Sequence, residues 1–276
     1  MKVTEVAYLG PPGTYSHIVC EKRFGTKYKL IPEPTIMDVF RFVYRKPWRR
    51  GVVPMESSSG GAISETVDIL LANKPHVHIE EELSLEIKIA LLGRRGEKVK
   101  VVYSHSAPLE HCISWLKRHL PRAERCTMPS TAASAQRVVD EKNAAALGSK
   151  RLAELYNLDV LYYPVEADIP YITSFLVITS TDVPPPVHGK TTIAAVTPNK
   201  PGGLCTFLET FRDENVNLCR IISRPIKGQP AEYAFLVDIE GGLALPNVKR
   251  ALLEARKTCT RLRIVGSYPC RRPYKS

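Results

Sequence analysis

The sequence predicts an α/β protein: a mostly parallel sheet over the first two thirds, then a smaller βαββαβ unit. Short apolar runs alternate with amphipathic helical runs from residue 6 to about 181. A stiff, Pro-rich stretch, Asp182–Gly189 (DVPPPVHG), interrupts that alternation. Beyond it the pattern becomes β-loop-helix-β-turn-β-helix-β, a ferredoxin-like order in about 80 residues. The expected division is therefore 1–181, a linker at 182–189, and 190–276.

The first run, VAYLG (6–10), is a strand ending at PPGTYS, and a helix follows from about Ser16 to Phe24. KLIPEP is a short strand, TIMDVFRFVYR a helix and RGVVPM a strand that opens through ESSSGG into a small, polar, Gly-rich loop. The next helix carries Ile63, Thr66, Val67 and Leu70 on one face, with an N-cap among Ser57 to Ser59, and ends near Ala72. HVHIEEELSLEIKIALLG alternates as one long β stretch. VKVVYSHS then enters a single helix, PLEHCISWLKRHL, with Pro108 near its start. ERCTMPS, the helix TAASAQRVVDEK, the strand AAALGS, the helix KRLAELYN and the strands LDVLYYPV and SFLVITST complete the series. Such alternation leaves loops at strand ends for a ligand. Past the linker, KTTIAAV, the helix after NKPGGL, two strands, the helix ALPNVKRALLEARKTC and RLRIVGSYP make the second unit.

At 276 residues, with 44% hydrophobic and 24% charged residues, the chain has an ordinary globular composition and no apolar run approaching a membrane span. MKVTEVAYLG resembles no signal peptide, so a cytoplasmic protein is expected. The seven cysteines are scattered without a CxxC pair, which argues for a reducing compartment and against a disulfide framework or zinc site. His76 and His78 lack further nearby ligands, so no metal is expected. The net charge of +11 is uneven: residues 190–276 hold 15 Lys and Arg against 7 Asp and Glu. Apart from RKPWRR and CRRPYKS these cations stand singly, without the aromatic interleaving of an RNA surface. They read as a solvated basic face that would favour small polyanions by its field.

One carboxylate, Glu56, stands among three serines and two glycines at the mouth of a helix. A capped turn accounts for such a stretch. So does a small-anion site, because helix N-termini present free N–H groups and a positive dipole end.

GPPGTYS (10–16), VPMESSSGGAISETVDIL (53–70), YSHSAPLEHC (103–112), PSTAASA (129–135) and YITSFLVI (171–178), in that order and spacing, resemble the motifs of prephenate dehydratases with a C-terminal ACT regulatory domain. NKPGGL (199–204) and IISRP (221–225) resemble the two ligand-loop signatures of the ACT part. The resemblance covers nearly the whole chain. It implies two α/β subdomains of the type II periplasmic-binding-protein kind around a cleft, crossed by the chain near 75–80 and 165–170. It implies decarboxylating dehydration of prephenate, or of its amino analogue arogenate, in phenylalanine biosynthesis, without metal or cofactor. Thr14 and Ser16 then belong to an anion-holding loop, Glu56 and Ser58 are catalytic with Thr173, Glu56 through the polar network, and Ser57, Thr131 and Phe175 bind substrate in the cleft. Thr173 donates toward the departing hydroxyl; a threonine is a poor acid alone and needs a relay or a strongly polarising site. Gly202, Gly203 and Leu204 would face a neighbouring subunit's Ser223, Arg224 and Pro225 to bind phenylalanine, in a homodimer or homotetramer assembled through ACT domains.

Departures gather at these motifs. The family's Glu-Asn-Ser is Glu56-Ser57-Ser58, its Thr-Arg-Phe is Thr173-Ser174-Phe175, and Tyr171 and Lys88 replace an Asn and a His. SHSAPL stands for a Ser-His-Pro-Gln-Ala-Leu segment, and Ile222 for a Glu, which predicts weak phenylalanine feedback or another effector. Loss of the guanidinium at 174 leaves a non-aromatising prephenate decarboxylase as a second reading, and a catalytically silent amino-acid sensor as a third.

Overall fold

The computed structural model describes residues 4–58, 60–229 and 231–276; the N-cap candidate Ser59 lies outside them. In chain order the elements are β1 (Glu5–Leu9), α1 (Tyr15–Phe24), β2 (Lys29–Glu33), α2 (Ile36–Tyr44), β3 (Arg50–Ser57), β4 (Gly61–Ala62), α3 (Ser64–Ala72) and β5 (His78–Glu86). Then come β6 (Ile89–Gly93), β7 (Val101–Ser104), α4 (Ser106–His111), α5 (Ile113–His119), β8 (Glu124–Thr127), α6 (Thr131–Asp140), β9 (Ala144–Gly148), α7 (Arg151–Tyr156), β10 (Asp159–Val165) and β11 (Ile172–Thr179). The last unit holds β12 (Lys190–Val196), α8 (Gly203–Asp213), β13 (Leu218–Pro225), β14 (Tyr233–Glu240), α9 (Pro246–Thr258), β15 (Arg261–Tyr268) and β16 (Tyr274–Lys275). Among the described residues no helix is long and apolar enough to cross a membrane.

The strands form three sheets. The first runs β16-β5-β11-β3-β1-β2 with β4 on β3, the second β10-β6-β9-β7-β8, and the third β13-β14-β12-β15. In the first sheet β1 is parallel to β2 and β3, whereas β11 is antiparallel to β3 and β5. The third sheet has the strand order of the βαββαβ unit and is antiparallel throughout.

The chain passes between the first two sheets at 87–88 and again at 166–171. The first passage thus falls later than the expected 75–80. HVHIEEELSLEIKIALLG is not one β stretch: β5 pairs with β11 in the first sheet, and β6 pairs with β9 and β10 in the second. The expected helix 108–120 is likewise two, broken at Cys112. Asp168, in the second passage, holds that break: its N–H donates to the His111 carbonyl (2.7 Å) and its carboxylate accepts the Ser114 N–H (3.3 Å).

Two apolar cores tie the units together. One joins Val6, Val19 and Phe175 of the first lobe to Ile89, Val102 and Leu116 of the second. The other packs Phe40, Met55, Leu70 and Ile79 against Ala194, Leu236, Val265 and Tyr268 of the third sheet. The basic C-terminal third is therefore not simply a solvated face. Lys190 pairs with Glu82 (2.9 Å), Arg224 with Asp68 (2.6 Å) and Arg271 with Glu81 (2.6 Å), all across the seam between the third unit and the first sheet.

Candidate active site

A cleft of about 580 Å³ lies between the first two lobes. Its floor is one face of the β3–β11 strand pair, carrying Pro54, Ser57, Thr173 and Phe175. Simple alternation from Pro54 would put Glu56 on that floor. The register shifts there: Phe175 faces Pro54, yet Ser174 faces Glu56, so Met55 is an extra residue in β3. Such a bulge re-aims the side chains beyond it. Ser57 is turned into the cleft, and Glu56 is turned to the other face.

The rim is made of helix starts. Thr14 caps α1, accepting from the His17 N–H (3.4 Å), and Ser130 caps α6, accepting from the Ala133 N–H (3.0 Å). Both line the cleft, as do Ser16 and Thr131 in the first turns and Ile63 and His105 before α3 and α4. Free N–H groups and dipole ends converge on one space, a natural receptor for carboxylates. Besides two tyrosines, the ionisable side chains lining it are His105 and Glu110. The lobes touch at Gly13, whose carbonyl accepts from Ser149 Oγ (2.7 Å). With φ at 87° and Leu152 2.5 Å from where a Cβ would sit, that position is fit only for glycine.

Thr173 is 8% exposed, and among the described residues its hydroxyl has no protein partner. Tyr171 lies beside it. Its phenol is hydrogen-bonded to Ser57, and burial pushes it up to about 12 against the opposing effect of that bond. The Tyr171 ring stacks on His111 (3.9 Å between centroids), and Tyr15 approaches it edge-on. The Tyr15 hydroxyl and both His111 nitrogens are buried without partners among the described residues. Burial lowers the His111 pKa, although Glu110 and Asp168 oppose this.

Glu56 and Ser58 were expected at the chemistry; the bulge puts them elsewhere. Ser58 Oγ donates to the Pro170 carbonyl (2.9 Å) and accepts from the Ile172 N–H (3.1 Å), joining the end of β3 to the start of β11. Glu56 accepts from Arg220 Nε (2.9 Å), and Arg220 also pairs with Asp238 (2.7 Å) and lies 3.7 Å from Glu82. Ser174 shares this rear depression with Arg220 of β13. Lys88 lies in the passage between lobes, its backbone N–H donating to Ser276 Oγ (2.7 Å).

In the third unit Gly202 and Gly203 begin α8, and a Cβ on Gly203 would lie 2.3 Å from the Pro198 carbonyl. Leu204 lines a hollow of about 150 Å³ with Asn199, Lys200, Glu232 and Tyr233. Ser223 and Pro225 are exposed on β13. Arg224 does not organise that loop: it alternates with them and makes two bonds to Asp68 of α3. Ile222, on the same face, packs into the core shared with the first sheet, which explains an apolar residue there.

Sequence reasoning placed Thr14, Ser16, Ser57, Thr131, Thr173 and Phe175 at a ligand, and the structure brings all six into one cleft. It missed Tyr15, His105, Glu110 and Ser130, and it noted Tyr171 only as a departure. Two of the missed four carried a signal, since His105 and Ser130 each precede a helical run.

The family description prephenate dehydratase matches residues 6–183, and ACT domain matches 191–256. The bifunctional chorismate mutase/prephenate dehydratase of Aquifex aeolicus is 35% identical over 97% of this chain and 74% of its own length. The solved prephenate dehydratase of Arthrobacter aurescens, in complex with L-Phe, is 27% identical with a TM-score of 0.87, covering 96% of this chain and 90% of that one. The prephenate dehydratase of Staphylococcus aureus gives 27% and 0.82, covering 96% and 99%. The chain belongs to the prephenate dehydratase family, and it carries an ACT domain at its C-terminal end.

Proposed function

We propose that the protein is a prephenate dehydratase. The observation that carries this reading is the Thr173 hydroxyl, unpaired by protein among the described residues, on the floor of a cleft ringed by helix N-termini. The substrate's two carboxylates suit the N–H groups at the starts of α1 and α6 together with the hydroxyls of Ser16 and Thr131. Thr173 donates to the ring hydroxyl as the C–O bond breaks. The ring carboxylate leaves as carbon dioxide, and its electron pair completes the aromatic ring. Positioning and fixed dipoles supply the acceleration.

Ser174 no longer speaks for a non-aromatising decarboxylase, because its side chain is on the rear face, away from the cleft. Thr173 and its neighbours likewise have no use in a silent sensor. The ACT domain suits phenylalanine as effector, held at the Asn199–Leu204 loop, which the Arthrobacter relative's structure in complex with L-Phe supports, and copies would associate through these domains.

The test is incubation with prephenate, and separately arogenate, following aromatic product and carbon dioxide together. Equal amounts of phenylpyruvate and carbon dioxide are expected. Carbon dioxide without aromatic product, or neither from either substrate, overturns the reading.

A further inference from the structure

Thr173 faces the ligand, yet an aliphatic hydroxyl gives up a proton poorly. The nearby phenol of Tyr171 is the stronger acid, and the fold holds it in one place. Its ring is fixed by the His111 stack and the Tyr15 edge, and its backbone carbonyl is taken by the Ile87 N–H (2.7 Å). Its hydroxyl is bonded to Ser57. Ser57 and Thr173 are directly opposite in the β3–β11 register and share the cleft face, a pairing that puts Cβ atoms about 5 Å apart. The bulge at Met55 is what brings Ser57 to that face. Three hydroxyls therefore gather in the cleft, with the most acidic bonded to Ser57.

We propose that Tyr171, acting through Ser57, is the proton source for the departing hydroxyl of the substrate. This rests on the dehydratase reading above. The C–O bond breaks with its electron pair going to oxygen, and that oxygen takes a proton from Ser57 and leaves as water. Ser57 takes the Tyr171 proton in turn, and the phenolate is reprotonated from solvent through the cleft. Carbon dioxide departs in the same event, its bonding pair entering the ring, so charge and atoms balance. Thr173 steadies the oxygen while the proton arrives. Burial raises the phenol pKa and so keeps the proton in place across the neutral range, and a departing hydroxide is still the stronger base and can take it. His111 is kept neutral by burial and serves as a flat support for the ring.

The experiment compares the full chain with Tyr171→Phe, Ser57→Ala and the double variant in prephenate turnover, together with the solvent deuterium isotope effect on kcat. Tyr171→Phe should lower kcat roughly 100-fold or more, the range of one general acid, with KM changed less than about threefold and a smaller isotope effect. Ser57→Ala should do nearly the same, and the double variant should be no worse than Tyr171→Phe, since the residues act in series. Replacing Tyr171 by trifluorotyrosine, a more acidic phenol of similar shape, should move the alkaline fall of kcat/KM to lower pH. That variant carries the test if Tyr171→Phe fails to fold. An active wild type with Tyr171→Phe within threefold in kcat, or a trifluorotyrosine profile that does not move, overturns the inference alone. A wild type that makes no phenylpyruvate overturns the dehydratase reading and this inference with it.

Discussion

The two faces of the β3–β11 strand pair are both polar, and they are built from different chemistry. The front carries hydroxyls beneath open helix ends, and its ionisable groups are few. The rear carries Glu56, Glu82, Asp238, Arg220 and Lys190, nearly all engaged with one another. Charges that are buried must be paired, and paired charges hold surfaces together. A ligand that must enter and leave is better met by neutral donors on rigid elements, which bind an anion without a permanent counter-ion to release. The rear face holds the ACT domain, and the front face is the one open to a cleft.

The largest effect is expected from Arg220→Ala. Its side chain is 10% exposed and faces three carboxylates, so removal strands buried negative charge. A loss of about 3–5 kcal/mol in denaturant unfolding is expected, with kcat in the surviving folded protein changed little. An equally stable variant with a crippled kcat would show that the faces are not separable. Thr173→Val is the mirror experiment: stability should hold while turnover falls on the order of 100- to 1,000-fold, as for loss of one transition-state donor. Prephenate binding should stay within several-fold; near-normal turnover would remove Thr173 from the mechanism.

Ser174→Arg restores the family's motif, but on the rear face it sets a second guanidinium beside Arg220. Glu56 and Glu82 line the same depression and offset the repulsion from Arg220, so stability should change by no more than about 1 kcal/mol, with no change in product. A shift in product ratio would place residue 174 in the chemistry after all. The mildest effect concerns His111. Its folded pKa lies below its unfolded value because of burial, so the folded state binds fewer protons than the unfolded one. The stability this gives is present above the unfolded pKa of about 6.5 and is lost as pH falls below it toward the folded value. His111→Phe keeps the stack on Tyr171 and should flatten that acid limb in thermal unfolding measured from pH 7 to 5. An unchanged limb would assign it to other groups.

The βα alternation and the βαββαβ order were legible because they depend on periodicity, which is local. The motif around Glu56 was also legible as a stretch that reaches a cleft, through Ser57. Which of its residues faces the cleft was not, because that depends on a one-residue bulge set by pairing with β11, over a hundred residues away in the chain. The same holds for the break at Cys112, fixed by Asp168 from a distant passage, and for Arg224, whose partner Asp68 lies on another domain's helix. Tyr171 stood out by its identity alone; only the stack on His111 and the bond to Ser57 say what it could do.

The shared core under the ACT sheet bears on how far this chain can be cut and recombined. In one dimension the last ninety or so residues look like a transplantable cassette behind a proline-rich hinge. In three dimensions one face of its sheet is buried against the first lobe through Ala194, Ile222, Leu236, Val265 and Tyr268, and β16 joins β5 beyond it. A graft onto a relative would succeed only if the host also supplied counterparts of Glu56, Asp68 and Glu82. Expressed by itself, the cassette would present that greasy face to water and stick to its own copies. Its modularity is a property of the gene, and the folded protein has given it up.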